Sequence, residues 1–247
     1  FYLERDRIDD FFAIAKRFIE QNPEDRYCSQ IIFLMGSTFV KLEDFEGMIE
    51  LFQQYIKDYP GTLMQDGLHY WTGMGYLFYQ DYEKALPYFE TVLSQYGVGA
   101  YAEDALYRKG ICLFGLQDIN QARQTFQLFV KEYPTSAIRG EAEYFLGDIE
   151  AAAPNVEAAL KHYANVEQFT NNHAFIENAY FRAGELLEVN RRYEEMVAHF
   201  ERYISKFEGQ GDMTAAIYQL GRARELQDRP GDMLRVYWGA VSRYGNN

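Results

Sequence analysis

Histidine, cysteine and clustered carboxylates are the side chains that would do chemistry in this chain, and their spacing argues against each role in turn. His162 and His199 stand 37 residues apart, an interval that recurs along the whole sequence and puts both at one position of successive units. A metal site needs further ligands beside two histidines. The equivalent positions hold Leu51, Tyr88, Thr125 and Val236, so no third ligand recurs there. His69 and His173 fall elsewhere in the interval, and no Cys-x-x-Cys, His-Glu-x-x-His, Gly-x-Ser-x-Gly or phosphate-cradling loop occurs. Cys112 has no basic partner in its pattern and reads as a small core residue. Carboxylates are plentiful but scattered. Catalysis, a metal and a cofactor are therefore not expected. What does recur is aromatic: Phe33, Tyr70, Tyr107, Tyr144, Phe181 and Tyr218 share one position, and ring faces and tyrosine hydroxyls suit recognition.

The elements that carry these rings follow from the glycines. Gly36, Gly73, Gly110, Gly147, Gly184 and Gly221 stand at equal steps of 37 residues, without insertion or deletion. A fixed period of this size marks a stack of supersecondary units, not a domain built around one reaction centre. Sixteen residues after each glycine stands a ring: Phe52, Phe89, Phe126, Tyr163, Phe200 and Tyr237. Twelve after stand Met48, Ala85, Ala122, Ala159, Met196 and Met233, small or flexible residues expected to face the glycine where two helices approach closely. Apolar residues recur at helical spacing in both halves of a unit, as in Ala102 to Leu116 and then Ile119 to Tyr133, parted by Gln117 and Asp118. Asp44, Asp81, Asp118 and Asn155 recur where a short polar side chain caps a second helix. Pro230 fits a first helical turn, and Pro60 and Pro134 mark second-helix ends, with Gly97 and Gly245 in their place in two other units. Each unit is a helical hairpin. Residues 1–25 read as the second helix of a truncated repeat, because Ile8, Phe11, Ala15 and Phe18 follow the pattern of a unit whose glycine would lie upstream of Phe1. Residues 26–247 read as six repeats in a single array, itself expected to be a piece of a longer one.

Composition narrows the partner. The net charge of −13 and pI near 4.8 argue against nucleic acid and favour a partner that carries Lys and Arg. No apolar run reaches the ~18–20 residues that cross a bilayer. Cys28 and Cys112 lie in first helices of different units, too far apart for a disulfide. The fourth unit departs from the pattern, with Ala151-Ala-Ala-Pro154 at its middle turn and Phe169-Thr-Asn-Asn172 at its end, so a local irregularity is expected there.

Gly110, Ala122, Phe126 and Pro134 have the mutual offsets of the tetratricopeptide repeat (TPR) family, which the chain resembles over nearly its whole length. The longer period, Tyr144-Phe-Leu-Gly147 and the Tyr133-Pro134 ending are similar to bacterial cell-envelope members, such as the TPR protein of the Tol–Pal system and the TPR lipoprotein of outer-membrane β-barrel assembly. The resemblance implies an all-α, right-handed α-solenoid of about 13 helices in stacked antiparallel pairs, working as a protein-binding scaffold in the periplasm or at the outer membrane. In the family the ligand groove lies on the first helices, on a side that here carries the aromatic ladder. Its apolar part includes Val40, Met74, Leu77, Ile111 and Phe114, and its acidic part Glu141, Asp148, Glu185, Glu188 and Glu225, with Arg222 among them. The ladder rings either pack neighbouring first helices together or line the groove, and one ring can do both. The expected ligand is a peptide or amphipathic helix of another protein with basic residues at one end. The alternatives are an accessory arm of a larger enzyme or transporter, and self-association through the open ends of the stack.

Overall fold

Thirteen α-helices make up the described part of the protein, residues 5–244 of a computed structural model. No strand occurs among the described residues, and the all-α solenoid class read from the period holds. After α1 (Arg5–Gln21) the helices alternate. First helices are α2 (Tyr27–Leu42), α4 (Gln65–Phe78), α6 (Ala102–Gly115), α8 (Arg139–Ala152), α10 (His173–Val189) and α12 (Met213–Leu226). Second helices are α3 (Phe45–Asp58), α5 (Tyr82–Tyr96), α7 (Ile119–Glu132), α9 (Val156–Phe169), α11 (Tyr193–Lys206) and α13 (Pro230–Tyr244). The chain divides into two compact units, residues 1–125 and 126–247. Gly245, read above as closing the last repeat, lies outside the described residues.

Every hairpin closes in the same way. The residue seven after each glycine takes a left-handed backbone: Glu43, Gln80, Gln117, Pro154, Arg191 and Asp228. The next residue starts the second helix, and its side chain caps where it is Asp. Asp44 accepts from the Gly47 N–H at 2.9 Å, Asp81 from Lys84 N–H at 3.2 Å and Asp118 from Gln121 N–H at 3.2 Å. Asn155, expected to cap α9, does not. Its amide turns back and donates to the Glu150 carboxylate at 2.9 Å, because Glu150 stands in the last turn of α8 within reach of it.

The glycine column seats a ring. In the repeats of Gly73, Gly147, Gly184 and Gly221, the first atoms a Cβ would meet belong to the aromatic sixteen residues on: Phe89, Tyr163, Phe200 and Tyr237. The residue twelve after the glycine is buried as well, as Met48, Ala85, Ala159 and Met196 show, but the ring lies closest. Gly36 departs from this and receives the Trp71 indole of the following repeat. Second helices bury one apolar stripe and turn charge outward. In α11 Met196, Val197, Phe200 and Tyr203 are buried, while Glu194, Glu195 and Glu201 are exposed.

In unit 1, α4 packs on α2, α3 and α5, and its core joins Ile32, Phe52, Leu68, Trp71 and Phe89. In unit 2, α10 packs on α8, α9, α11 and α12 around Tyr163, Leu187, Phe200 and Tyr203. The irregularity expected in the fourth repeat is there. Thr170 and Asn172 are extended, and α10 begins early, running 17 residues where α8 and α12 run 14. Gly140 lets the buried Thr170 settle against α8, since a Cβ there would overlap the Thr170 side chain. Both cysteines are buried and free, and burial pushes the Cys112 thiol up to about 12. No helix among the described residues is long and apolar enough to cross a membrane.

Candidate partner-binding face

Successive first helices stand side by side in each unit, and the N-terminal turns of α2, α4 and α6 frame the cavity that matters most in unit 1. It has a volume of about 660 Å³. Phe33 and Leu34 of α2 form one wall, half exposed at 52% and 51%. Tyr70 and Trp71 of α4 form the floor, and Tyr101, just before α6, closes the far side. The rings touch in a chain: Phe33 to Trp71 at 6.1 Å between centroids, Trp71 to Tyr70 at 5.2 Å, and Tyr70 stacked on Tyr101 at 4.7 Å. Gly36 permits this, because any side chain there would collide with the indole.

Two carboxylates reach the same cavity. Asp104 is fully engaged: the Tyr70 hydroxyl donates to it and Arg108 Nε lies at 3.4 Å. Burial and the Asp104 charge together push the Tyr70 hydroxyl far up, so it remains a donor at any ordinary pH. Burial likewise raises Tyr101 to about 12. Asp66 accepts from the Gly67 backbone N–H, at 2.7 Å, and from its own backbone N–H, and burial raises its carboxyl above the ordinary range against those bonds.

The predicted groove residues sort by depth. Of the ladder, Tyr70 and Tyr107 are buried, Tyr144 and Phe181 half-buried, and Phe33 and Tyr218 (55%) exposed. Met74 is buried in the core with Leu77 and Val40 packed against it, while Ile111 and Phe114 are half-buried. These rungs hold unit 1 together, and Phe33 with Tyr70 also shapes the cavity.

In unit 2 Asp148, Glu185 and Glu188 come with counter-charges. Asp148 accepts from the Tyr163 hydroxyl at 2.7 Å and has Arg182 at 3.9 Å, and Arg182 also reaches Glu185 at 3.3 Å. Arg222 grips Glu188 with contacts of 2.6 to 3.0 Å. Glu141 accepts from Asn172 at 3.3 Å, and Glu225 is exposed. Sequence reading did not single out Arg182, whose column also holds Leu34 and Trp71.

The histidines are built into the scaffold. His162 Nδ1 lies 2.7 Å from the buried Glu143 carboxylate. His199 Nε2 meets the Tyr180 carbonyl at 2.8 Å, and burial lowers its pKa. They share a repeat position but take unrelated partners.

Comparison with known proteins agrees with this architecture. The tetratricopeptide repeat family model matches residues 30–62 and 104–136. The starts differ by 104−30 = 74, two periods, so both matches fall in the same phase of the repeat. No curated protein matches the chain by sequence. Among solved structures, the C-terminal part of a TPR repeat-containing protein from Cytophaga hutchinsonii is similar at TM-score 0.68 and 16% identity, over 85% of this chain and 78% of that one. YrrB, described as a TPR protein with an unusual peptide-binding site, is similar at TM-score 0.60 and 20% identity, over 83% and 96%. MamA is similar at TM-score 0.57 and 18% identity, over 72% and 91%. At these identities the likeness is one of fold.

Proposed function

We propose that the protein is an interaction scaffold that holds a segment of another protein on its first-helix face, within a bacterial cell-envelope assembly. The observation that carries this reading is the unit 1 cavity, where Phe33 and Leu34 stay half exposed beside a floor of buried rings. Exposed apolar side chains gathered at a concavity favour a partner that covers them. The peptide-binding site named for YrrB supports the same use of the fold. The envelope setting rests on the longer period and the Tyr-Pro endings that the chain shares with envelope-type repeats.

The test is the affinity of the full chain for a partner isolated from the source cell and identified by mass spectrometry. Replacing Phe33 and Leu34 together by Ala is expected to weaken binding at least about tenfold, since each buried apolar side chain contributes roughly 1.5–3 kcal/mol. Leu128→Ala, on a second helix of unit 2, is expected to leave it unchanged. Equal affinity in all three proteins would remove this face from the interaction.

A further inference from the structure

Charge compensation is uneven across the first-helix faces, and one carboxylate that lacks it lines the cavity. Asp148 and Glu188 each have an Arg within ion-pair distance, and Asp104 has Arg108. Asp66 has no Arg or Lys within ion-pair distance among the described residues: it accepts from backbone N–H groups at the start of its own helix, and the opposing charge that acts on it is His69, three residues along that helix. A half-buried carboxylate without a counter-ion is costly when nothing occupies the site, and it gains most from an incoming cation. Around it stand the faces of Phe33, Tyr70, Trp71 and Tyr101. Rings of this kind attract a cation through their quadrupoles, and a guanidinium, planar and weakly hydrated, both stacks on them and donates to a carboxylate.

The wall also carries an unmet donor. The Trp71 indole N–H has no hydrogen-bond acceptor, although the side chain is only 8% exposed. The Tyr101 hydroxyl is the polar group that acts on it. The same chain uses the ring-and-carboxylate arrangement internally, where Arg108 lies over the Tyr107 ring at 5.2 Å while it pairs with Asp104.

We propose that the unit 1 cavity receives an arginine side chain of an extended partner segment, with its guanidinium against the rings of Phe33 and Trp71 and its charge on Asp66. This rests on the scaffold reading and names the chemistry its ligand must carry. The cavity, about 660 Å³, has room for the side chain and the backbone that bears it.

Trp71 and Trp238 are the only tryptophans, and Trp238 is exposed, so Trp238→Phe in the full chain leaves Trp71 emission as a reporter at the cavity. The probes are acetyl-Ala-Ala-Arg-Ala-Ala-amide and its citrulline counterpart, which keeps the shape and removes the charge. The arginine peptide is expected to shift Trp71 emission saturably and to bind at least about tenfold more tightly than the citrulline peptide. Asp66→Asn is expected to erase that difference. Equal affinity for the two peptides would overturn the cation assignment while leaving peptide docking, and with it the scaffold reading, intact. Retained arginine preference in Asp66→Asn would also overturn it. Silence from both peptides would overturn the proposal and remove this cavity from the scaffold reading. If Asp66→Asn fails to fold, the wild-type titration decides alone. Arginine-peptide binding must then weaken with rising salt and citrulline binding must not, and equal salt dependence overturns the assignment.

Discussion

Glu143 shows how one residue can hold a repeat together where the pattern allots an apolar side chain. Its column otherwise holds Ile32, His69, Leu106, Tyr180 and Ile217, yet it is 2% exposed. Burial works to raise its carboxyl. Bonds to His162 at 2.7 Å and Asn165 at 3.1 Å, with Arg139 at 3.5 Å, outweigh burial and hold it below the ordinary range. A carboxyl depressed in the folded state stabilises fully above its unfolded value, about 4.3, and the gain is lost as pH falls through the lower folded value. Glu143→Gln is therefore expected to cost roughly 1–3 kcal/mol near neutral pH. Thermal midpoints of the two proteins should converge as the pH drops below the ordinary carboxyl range, and a gap that stays constant from pH 7 to acid would show that the charge is idle. The helical wheel found the varied column but not the partners that Glu143 meets from α9. The cavity was half legible for a like reason. Phe33 and Tyr70 fall in the predicted ladder, whereas Trp71, Asp66 and Tyr101 lie one step round the wheel or before the helix. A cavity framed by helix starts on three neighbouring elements draws on columns that no single wheel groups together. The missing counter-ion of Asp66 is a fact of three dimensions only.

At the scale of elements, the hairpins were close to fully legible, because a strict period repeats every local cue six times. The repeat of Gly110 reads as a helix to Leu116, a turn at Gln117-Asp118 and a helix from Ile119; α6 ends at Gly115 and α7 begins at Ile119. The left-handed position went unread, since no glycine occupies it. Five of its residues tolerate that backbone at modest cost, but the sixth is Pro154 with φ of 27°. A proline ring favours φ near −65°, so this turn stores strain that its five counterparts lack. Pro154→Asn is expected to raise the stability of the protein by about 1 kcal/mol or more, because asparagine enters the left-handed region with little penalty. A lower denaturation midpoint in the variant would mean that the ring's constraint on the unfolded chain outweighs the strain.

For the molecule as a whole, the contacts decide how a local defect should spread. In unit 2, α10 meets α8, α9, α11 and α12, which are neighbours in order or the adjoining first helices. Stability built in this way is close to a sum of repeat and neighbour terms, so damage should stay near its source. Gly184→Ala provides the injury: the added Cβ would overlap the Phe200 ring on α11, and overpacking of this kind costs about 1–3 kcal/mol. Hydrogen exchange on the intact chain reads the outcome, since amides report local opening free energies. Exchange is expected to quicken across α9 to α12 and to stay unchanged in α2 to α4, whose core is built from Ile32, Phe52 and Leu68. Equal acceleration in both regions would mean that the chain opens as one cooperative body, and a docking face in unit 1 would then respond to every lesion in unit 2. Local opening alone would leave the cavity of Trp71 and Asp66 shaped for its ligand while distant repeats vary.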